Sequence, residues 1–488
     1  MNTPIRRMSV LCLVLFLALL LNATWVQYVQ AGSLNDRNDN RRVRDAEFSR
    51  ERGAILVNGN PVAESVPVDD QFKYQRRYPQ PLKYGHLTGF FSYIYGASGV
   101  ESNQNTILSG SDSRFFVNRV VDTLSNKQPE GGSVSLTVDP AAQTAAFEGI
   151  QALGPDTKAA VVALEPSSGK ILAMVSNPTY DPNKIATHDL EQSQTDYERL
   201  IEDPDKPMFN RAIQEVYPPG STFKLVTAAA ALESGDYDPD SQVDGRATYR
   251  LPDTSVDVPN DSGGSCGGGD RISLTLALQV SCNVAFLRLG NELGAEALSE
   301  QAEKFGFGQR YLSGLGAQAV SVFPDDLNDP NTALSAIGQF EVRASPLQMA
   351  LVTATIANNG QGMRPYLVDE VRAPDLSVLE KTSEEEMPDR AMSSTSASLL
   401  TQMMVETVDQ GTAAPAAIPD IKVAGKTGTA QSAADRNPYA WFVSFAPADN
   451  PEVAVAVLVQ DAGVERDAIS GGGLAAPIAK SVMEAVIQ

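Results

Sequence analysis

The sequence predicts an α+β fold, preceded by a small irregular domain and a single membrane-spanning run at the amino terminus. Three observations carry that reading. Two strand–turn–strand patterns stand far apart in the chain, mostly helical sequence fills the interval between them, and one dense apolar run opens the sequence. Strands distant in sequence and mostly helices between them imply a sheet assembled from separated segments.

Arg6 and Arg7 precede the apolar run Met8–Leu21, and Trp25 and Tyr28 follow it. The dense part, about a dozen residues, suits a signal-peptide core with Val29-Gln30-Ala31 as its cleavage site. Counted over residues 8–29, the segment is long enough at about 1.5 Å per residue to span a bilayer, with Trp25 and Tyr28 at the outer interface. The second expectation is adopted: residues 1–7 a cytoplasmic tail, 8–29 a signal-anchor, single-pass in the cell membrane. Both readings place everything beyond residue 31 outside the cell. Residues 32–50 are polar and charge-dense and read as a solvated stalk. From 51 to about 140, short apolar stretches broken by Gly, Pro and Asn complete an amino-terminal non-catalytic pedestal domain (32–140). It closes with a strand-like alternation at Ser133–Val138.

An Ala-rich helical stretch from Ala141 to Leu153 opens the second domain, 141–488. Ala159–Glu165 and Lys170–Ser176 flank Pro166-Ser-Ser-Gly169, a β-hairpin signal. Ala440–Phe445 and Glu452–Gln460 flank Pro447-Ala-Asp-Asn-Pro451, a second hairpin. Ile478, Val482, Met483 and Val486 give Leu474–Ile487 one apolar helical face.

The chain has 488 residues, 42% of them hydrophobic and 20% charged, which suits two to four core-forming domains. With 38 Lys+Arg against 60 Asp+Glu the net charge is −22, the opposite of a nucleic-acid footprint, and no nucleic-acid partner is expected. There are only two histidines, His86 and His188, so a His-rich metal site is excluded by count; both are expected at the surface. Cys12, Cys266 and Cys282 are too few and too scattered for zinc or iron–sulfur ligation. No metal and no cofactor is expected, and any catalytic base is not histidine.

The chemistry gathers in three short motifs. Tyr217-Pro-Pro-Gly-Ser-Thr-Phe-Lys224 stops whatever precedes it and starts an Ala-rich helix at about Ser221. At i and i+3, Ser221 and Lys224 share a helix face, which gives a serine nucleophile a nearby amine. Ser167 and Lys170 repeat the same spacing within a hairpin turn, so the tetrapeptide alone is weak. Ser281-Cys-Asn283 follows 60 residues after Ser221, and Lys426-Thr-Gly428 another 145 residues on. Lys224 must be neutral part of the time to take the Ser221 proton, and burial and the Lys426 charge both favour that. Ser281 can relay a proton to a leaving amine, and Asn283 can hold Lys224 or substrate. A peptide can lie along a Lys-Thr-Gly strand, and Gly428 removes a side chain that would obstruct it. The Thr427 and Thr429 hydroxyls, with Lys426, suit a terminal carboxylate. The backbone N–H groups of Ser221 and Thr429 are the expected oxyanion donors.

Order and spacing of these motifs resemble those of penicillin-binding proteins and serine β-lactamases. Arg52-Gly-Ala-Ile55 with Asn58-Gly59, and Gly96-Ala-Ser-Gly-Val-Glu101, resemble elements of class B penicillin-binding proteins. So do Ala159–Asn183, Ile337-Gly-Gln339 with Ser345-Pro-Leu-Gln348, Gly411-Thr-Ala413, Trp441–Pro447 and Ala475-Ala-Pro477. The resemblance implies a transpeptidase domain, an antiparallel sheet with a helical subdomain. It implies a D,D-transpeptidase acylated at Ser221 by a stem peptide ending in D-Ala-D-Ala, with release of D-Ala. Expected partners are peptidoglycan stem peptides and lipid-linked precursor strands, a membrane glycan polymerase, and divisome or elongasome proteins. β-Lactams are expected covalent inhibitors. Many relatives carry Gly-Gln-Gly where this chain has Gly338-Gln-Phe340.

Competing readings are a serine β-lactamase or D,D-carboxypeptidase, and a non-catalytic β-lactam sensor or scaffold. No Glu-x-x-Leu-Asn-like segment lies between Asn283 and Lys426 to supply a deacylating base. Cys266 and Cys282, 16 residues apart in an exported domain, are expected to form a disulfide, the alternative being two reduced thiols. The Gly263–Gly269 stretch lacks the Lys-Ser/Thr ending of a phosphate loop and reads as a mobile tethered loop. Trp441 reads as core, and Asp261 or Asp270 as a border of the cleft.

Overall fold

The apolar run forms one helix, α1 (Thr3–Tyr28), none of whose 26 residues is buried. At about 1.5 Å per residue it is roughly 39 Å long, enough to cross a bilayer. Among the described residues it is the one helix long and apolar enough to do so. The structure, a computed structural model, describes residues 3–30, 34, 41–115, 130–312, 314–431 and 437–487. Residues 32–33 and 35–40 of the expected stalk lie outside these. The rest of that stalk is less solvated than its charge suggests: Arg41–Phe48 is a helix, and Phe48 is buried, stacked on Phe91 with ring centroids 4.5 Å apart. One aromatic anchor outweighs the polar neighbours.

Strands β1 (Ile55–Val57) and β2 (Asn60–Pro67) form a tight hairpin, and β3 (Tyr74–Arg77) extends it. Asn58 and Gly59, at φ +47° and +75°, supply the left-handed pair that such a turn requires. Strand β4 (Ser133–Leu136) lies parallel to β1. Helix α2 (Pro140–Gln151) is capped by the Asp139 carboxylate, which accepts from the Ala141 and Ala142 amides. The hairpin β5 (Lys158–Leu164) and β6 (Ile171–Asn177) follows at the expected place.

The helical interval contains α3 (Lys224–Ser234), α4 (Leu274–Gln279), α5 (Asn283–Leu293) and α6 (Pro346–Ala357). Strands β7 (Val368–Arg372) and β8 (Val378–Lys381) then return to the amino-terminal sheet, whose order is β8-β7-β4-β1-β2-β3. A division of the chain at residue 140 therefore separates strands that one sheet joins: Val371 pairs with Val134 across it. The open edge of β4 is closed by strands more than 200 residues downstream, which no local pattern signals.

Helix α7 (Ser394–Asp409), strands β9 (Ala424–Ala430), β10 (Tyr439–Ala446) and β11 (Val453–Asp461), and helix α8 (Ala476–Ile487) complete the chain. The second sheet is antiparallel throughout, in the order β9-β10-β11-β5-β6, so its strands come from opposite ends of the domain. Alternate residues serve two cores. Ala160, Val162, Leu164, Ala456 and Leu458 join the core that includes α6, whereas Ala159, Val161, Val455 and Val457 join the one that includes α2 and α8. Burial on both faces explains why these strands read as almost uninterrupted apolar runs. All twelve residues of α6 are buried.

The two histidines depart from expectation. His86 Nε2 lies 2.9 Å from the Pro207 carbonyl, and His188 Nδ1 lies 2.6 Å from Asp70 Oδ2 with its ring 4.7 Å from that of Phe72. Both are partly buried and hydrogen-bonded, so neither is a freely exposed surface residue.

Candidate active site

The segment before α3 is shaped by what its residues cannot do. Pro218 and Pro219 lack backbone N–H donors, and Gly220 turns the chain at φ +53°. Its amide donates to the Gly338 carbonyl at 3.0 Å, and a Cβ there would stand 3.0 Å from Ala430 Cα. Gly220–Phe223 is a single 3₁₀ turn and the α-helix proper begins at Lys224, later than the sequence pattern predicts. Thr222 Oγ1 and the Trp441 indole N–H donate to the Pro219 and Pro218 carbonyls, at 2.8 and 2.9 Å. Trp441 is fully buried, a packing residue as predicted. Ser221 is 6% exposed on this turn.

Lys224 is completely buried. Its ammonium nitrogen donates to Ser281 O at 2.8 Å, Asn283 Oδ1 at 2.7 Å and Ser281 Oγ at 3.3 Å. Ser221 is not among its hydrogen-bond partners in the described residues. Three donors engage three acceptors, and a protonated Lys224 has no lone pair with which to receive a proton. Burial holds its pKa well below the ordinary lysine value, and the Lys426 charge pushes the same way, against the pull of Asp261. Loss of one proton leaves two N–H donors and a lone pair, the state a general base needs.

Ser281 joins α4 to α5 at φ +58°, a left-handed conformation uncommon for a non-glycine residue. The turn lets its carbonyl face Lys224 while its hydroxyl accepts from Lys426 Nζ at 2.9 Å. Lys426 is also fully buried and donates to Thr427 O at 2.9 Å. Burial lowers its pKa to about 7, with Asp261 opposing. The three motifs thus converge on Ser281 Oγ, which stands between two lysines. Cys266 and Cys282 are joined by a disulfide, and Cys282 is the cap residue of α5.

Strand β9 is the edge of its sheet, so one row of its backbone groups is free of strand partners. Thr427 Oγ1 lies 2.7 Å from Thr412 Oγ1. Gly428 has a different reason from the one inferred above. A Cβ there would lie 2.9 Å from Thr222 Cγ2, 3.1 Å from Pro219 O and 3.1 Å from Trp441 Cβ. The space is filled by the protein's own Ser221 turn, so glycine permits that turn to pack on the strand. Gly471 is equally constrained, since a Cβ would stand 2.0 Å from Trp441 O. Phe340, at φ +57° and 38% exposed, sits two residues beyond Gly338, whose carbonyl holds Gly220.

The structure brings together Ser221, Lys224, Ser281, Asn283, Lys426, Thr427, Gly428 and Thr429. Asp261 joins them through Asn283, whereas among the described residues no hydrogen bond ties Asp270 to them, and its carbonyl accepts from the Gly245 amide. Thr412 and Gly471 carried no assigned role in the sequence. Gly411-Thr-Ala413 was legible as a landmark, but its contact with Thr427 depends on a fold-back of the chain. Among the described residues no group of His, Cys, Asp and Glu is arranged to hold a metal.

A serine beside a buried lysine, a second lysine on an edge strand and a Ser-x-Asn turn between them, on this sheet, define a class. Residues 159–484 match the penicillin binding protein transpeptidase domain, and residues 52–134 match a penicillin binding protein A dimerisation domain. The chain belongs to the penicillin-binding protein transpeptidases, class B. It is similar to peptidoglycan D,D-transpeptidase PbpA of Mycolicibacterium smegmatis, 43% identical over 100% of this chain and 99% of that protein. PbpA of Mycobacterium tuberculosis is 42% identical over 100% and 99%. The structure of penicillin-binding protein A from M. tuberculosis as a penicillin G acyl-enzyme complex superimposes with TM-score 0.85 at 40% identity, covering 90% of this chain and 100% of that one.

Proposed function

We propose that this chain is a peptidoglycan D,D-transpeptidase that cross-links stem peptides through an acyl-enzyme at Ser221. The observation that carries the reading is the meeting of two buried lysines, Lys224 and Lys426, at Ser281 Oγ. Neutral Lys224 takes the Ser221 proton as Oγ attacks the penultimate D-Ala carbonyl of a donor stem lying along β9. The Ser221 and Thr429 amides receive the oxyanion. Lys426, Thr427 and Thr429 hold the terminal carboxylate. Ser281 passes a proton to the departing D-Ala nitrogen as the amide bond breaks and the ester remains. An amine from a neighbouring stem then attacks the ester, forming the cross-link and restoring Ser221. A β-lactam forms an ester at the same Ser221 oxygen as its ring amide bond opens, but its leaving nitrogen stays attached to the acyl group. Residues 32–140 act as a pedestal for the catalytic domain. Helix α1 anchors the chain with that domain outside the cell, beside lipid-linked strands, a membrane glycan polymerase and divisome or elongasome proteins.

The test uses the full chain in detergent, labelled with a fluorescent penicillin and followed over time. A long-lived label, absent in Ser221→Ala, is expected. Rapid turnover of the label points to a β-lactamase instead, and a label that survives Ser221→Ala removes the proposed nucleophile.

A further inference from the structure

The Asn283 amide is engaged on both sides. Its Oδ1 accepts from Lys224 at 2.7 Å, and its Nδ2 donates to Asp261 Oδ1 at 3.1 Å and to the Pro259 carbonyl at 3.4 Å. A flipped amide would set its NH₂ against the Lys224 nitrogen and its oxygen against the Asp261 carboxylate, both unfavourable. The loop that carries Asp261 is built to hold it there. Buried Asn260 donates to Arg246 O and Gly264 O, each at 2.9 Å, and accepts from the Val284 amide at 3.0 Å. The Cys266–Cys282 disulfide ties the far side of the same loop to the residue before Asn283.

We infer that Asp261 is a positioning residue for acylation, orienting the Asn283 amide toward Lys224 and balancing the charge of the Lys224–Lys426 pair. The inference rests on the transpeptidase reading of this site. Among the described residues, the charged groups acting on Lys224 are Lys426 on β9 and Asp261 on the loop, and on Lys426 the opposing group is Asp261. Asp261 raises the proton affinity of both lysines. Its removal therefore moves both titrations toward lower pH.

The experiment measures the rate of penicillin acylation of the full chain from acid to alkaline pH, for the wild type, Asp261→Asn and Asp261→Ala. Asp261→Asn keeps an acceptor for Asn283 but not the charge. Its acylation profile is expected to move to lower pH by about half a unit with a modest loss at the optimum. Asp261→Ala also frees the amide, and its maximum is expected to fall about tenfold or more. A purely structural role would lower the rate at every pH without moving the profile, and that outcome overturns the inference, as do profiles that superimpose on wild type. Failure of the wild type to take a Ser221-dependent label instead overturns the transpeptidase reading, so the two failures are distinguishable. Unchanged melting temperatures verify that the variants fold.

Discussion

Lys224 and Lys426 are both fully buried, which makes the proton of each harder to keep, and the Lys426 charge adds to this at Lys224. In the proposed mechanism this serves base catalysis, and it costs stability. Lys426 titrates near pH 7 in the folded chain, whereas an unfolded lysine does so near 10.4. Between these values the unfolded chain binds the extra proton, so the free energy of unfolding rises with pH across that window. Lys426→Met is expected to flatten this rise and to unfold at higher urea at pH 6, while losing acylation. Urea titrations at pH 6 and pH 9 check it, and parallel curves for variant and wild type would contradict it. Phe340 bears another local cost. A bulky residue at φ +57° is strained, and this one is too exposed for burial to compensate. Phe340→Gly is expected to raise stability by about 1 kcal/mol, read as a higher melting temperature.

At the scale of elements, the site is a stack. The Ser221 turn lies on one face of the β9–β10 pair, wedged by buried Trp441, and the turn at Gly471 closes against the same pair. Gly428 is the point of closest approach to the Ser221 turn. Gly428→Ala places a methyl 2.9 Å from Thr222 Cγ2 and is expected to lower stability by about 1–3 kcal/mol and acylation with it. Denaturation and penicillin-labelling rates measured on one preparation check this. A variant with native stability and slow labelling would return Gly428 to the role read from sequence, clearance for substrate. The disulfide acts on the opposite wall: a loop of this length, closed covalently, contributes about 3 kcal/mol under the chain-entropy model.

At the scale of the molecule, two motifs noted for family resemblance become one structure. Arg52 and Arg76 both pair with buried Glu101 at 2.6 Å, and Tyr78 donates to the same carboxylate at 3.2 Å. Burial alone would raise the Glu101 pKa, but Arg76 and Arg52 together hold it below the usual value. Glu101→Gln leaves two guanidinium charges underpaired and is expected to cost about 3 kcal/mol or more, visible as a lower urea midpoint. Arg52-Gly-Ala-Ile55 and Gly96–Glu101 were each legible as words. Their contact was not, because a charge triad formed across 49 residues has no periodic signature. The same reason hid strands β7 and β8, which join the amino-terminal sheet from residues 368–381.

Local sequence was enough for the membrane-length helix, both hairpins of the second sheet, the family, and the identity of the residues that meet at the site. Each of those rests on local chemistry: hydropathy over a span, turn residues between apolar runs, or a short motif with a fixed spacing. It took the folded chain to show that Ser281 stands between two lysines, that Lys224 leans on Asn283 and not on Ser221, that Asp261 backs Asn283, and that Gly428 yields to the Ser221 turn. Those facts depend on distances between segments far apart in sequence, and on burial, which sets the charge of a lysine as strongly as its covalent structure does.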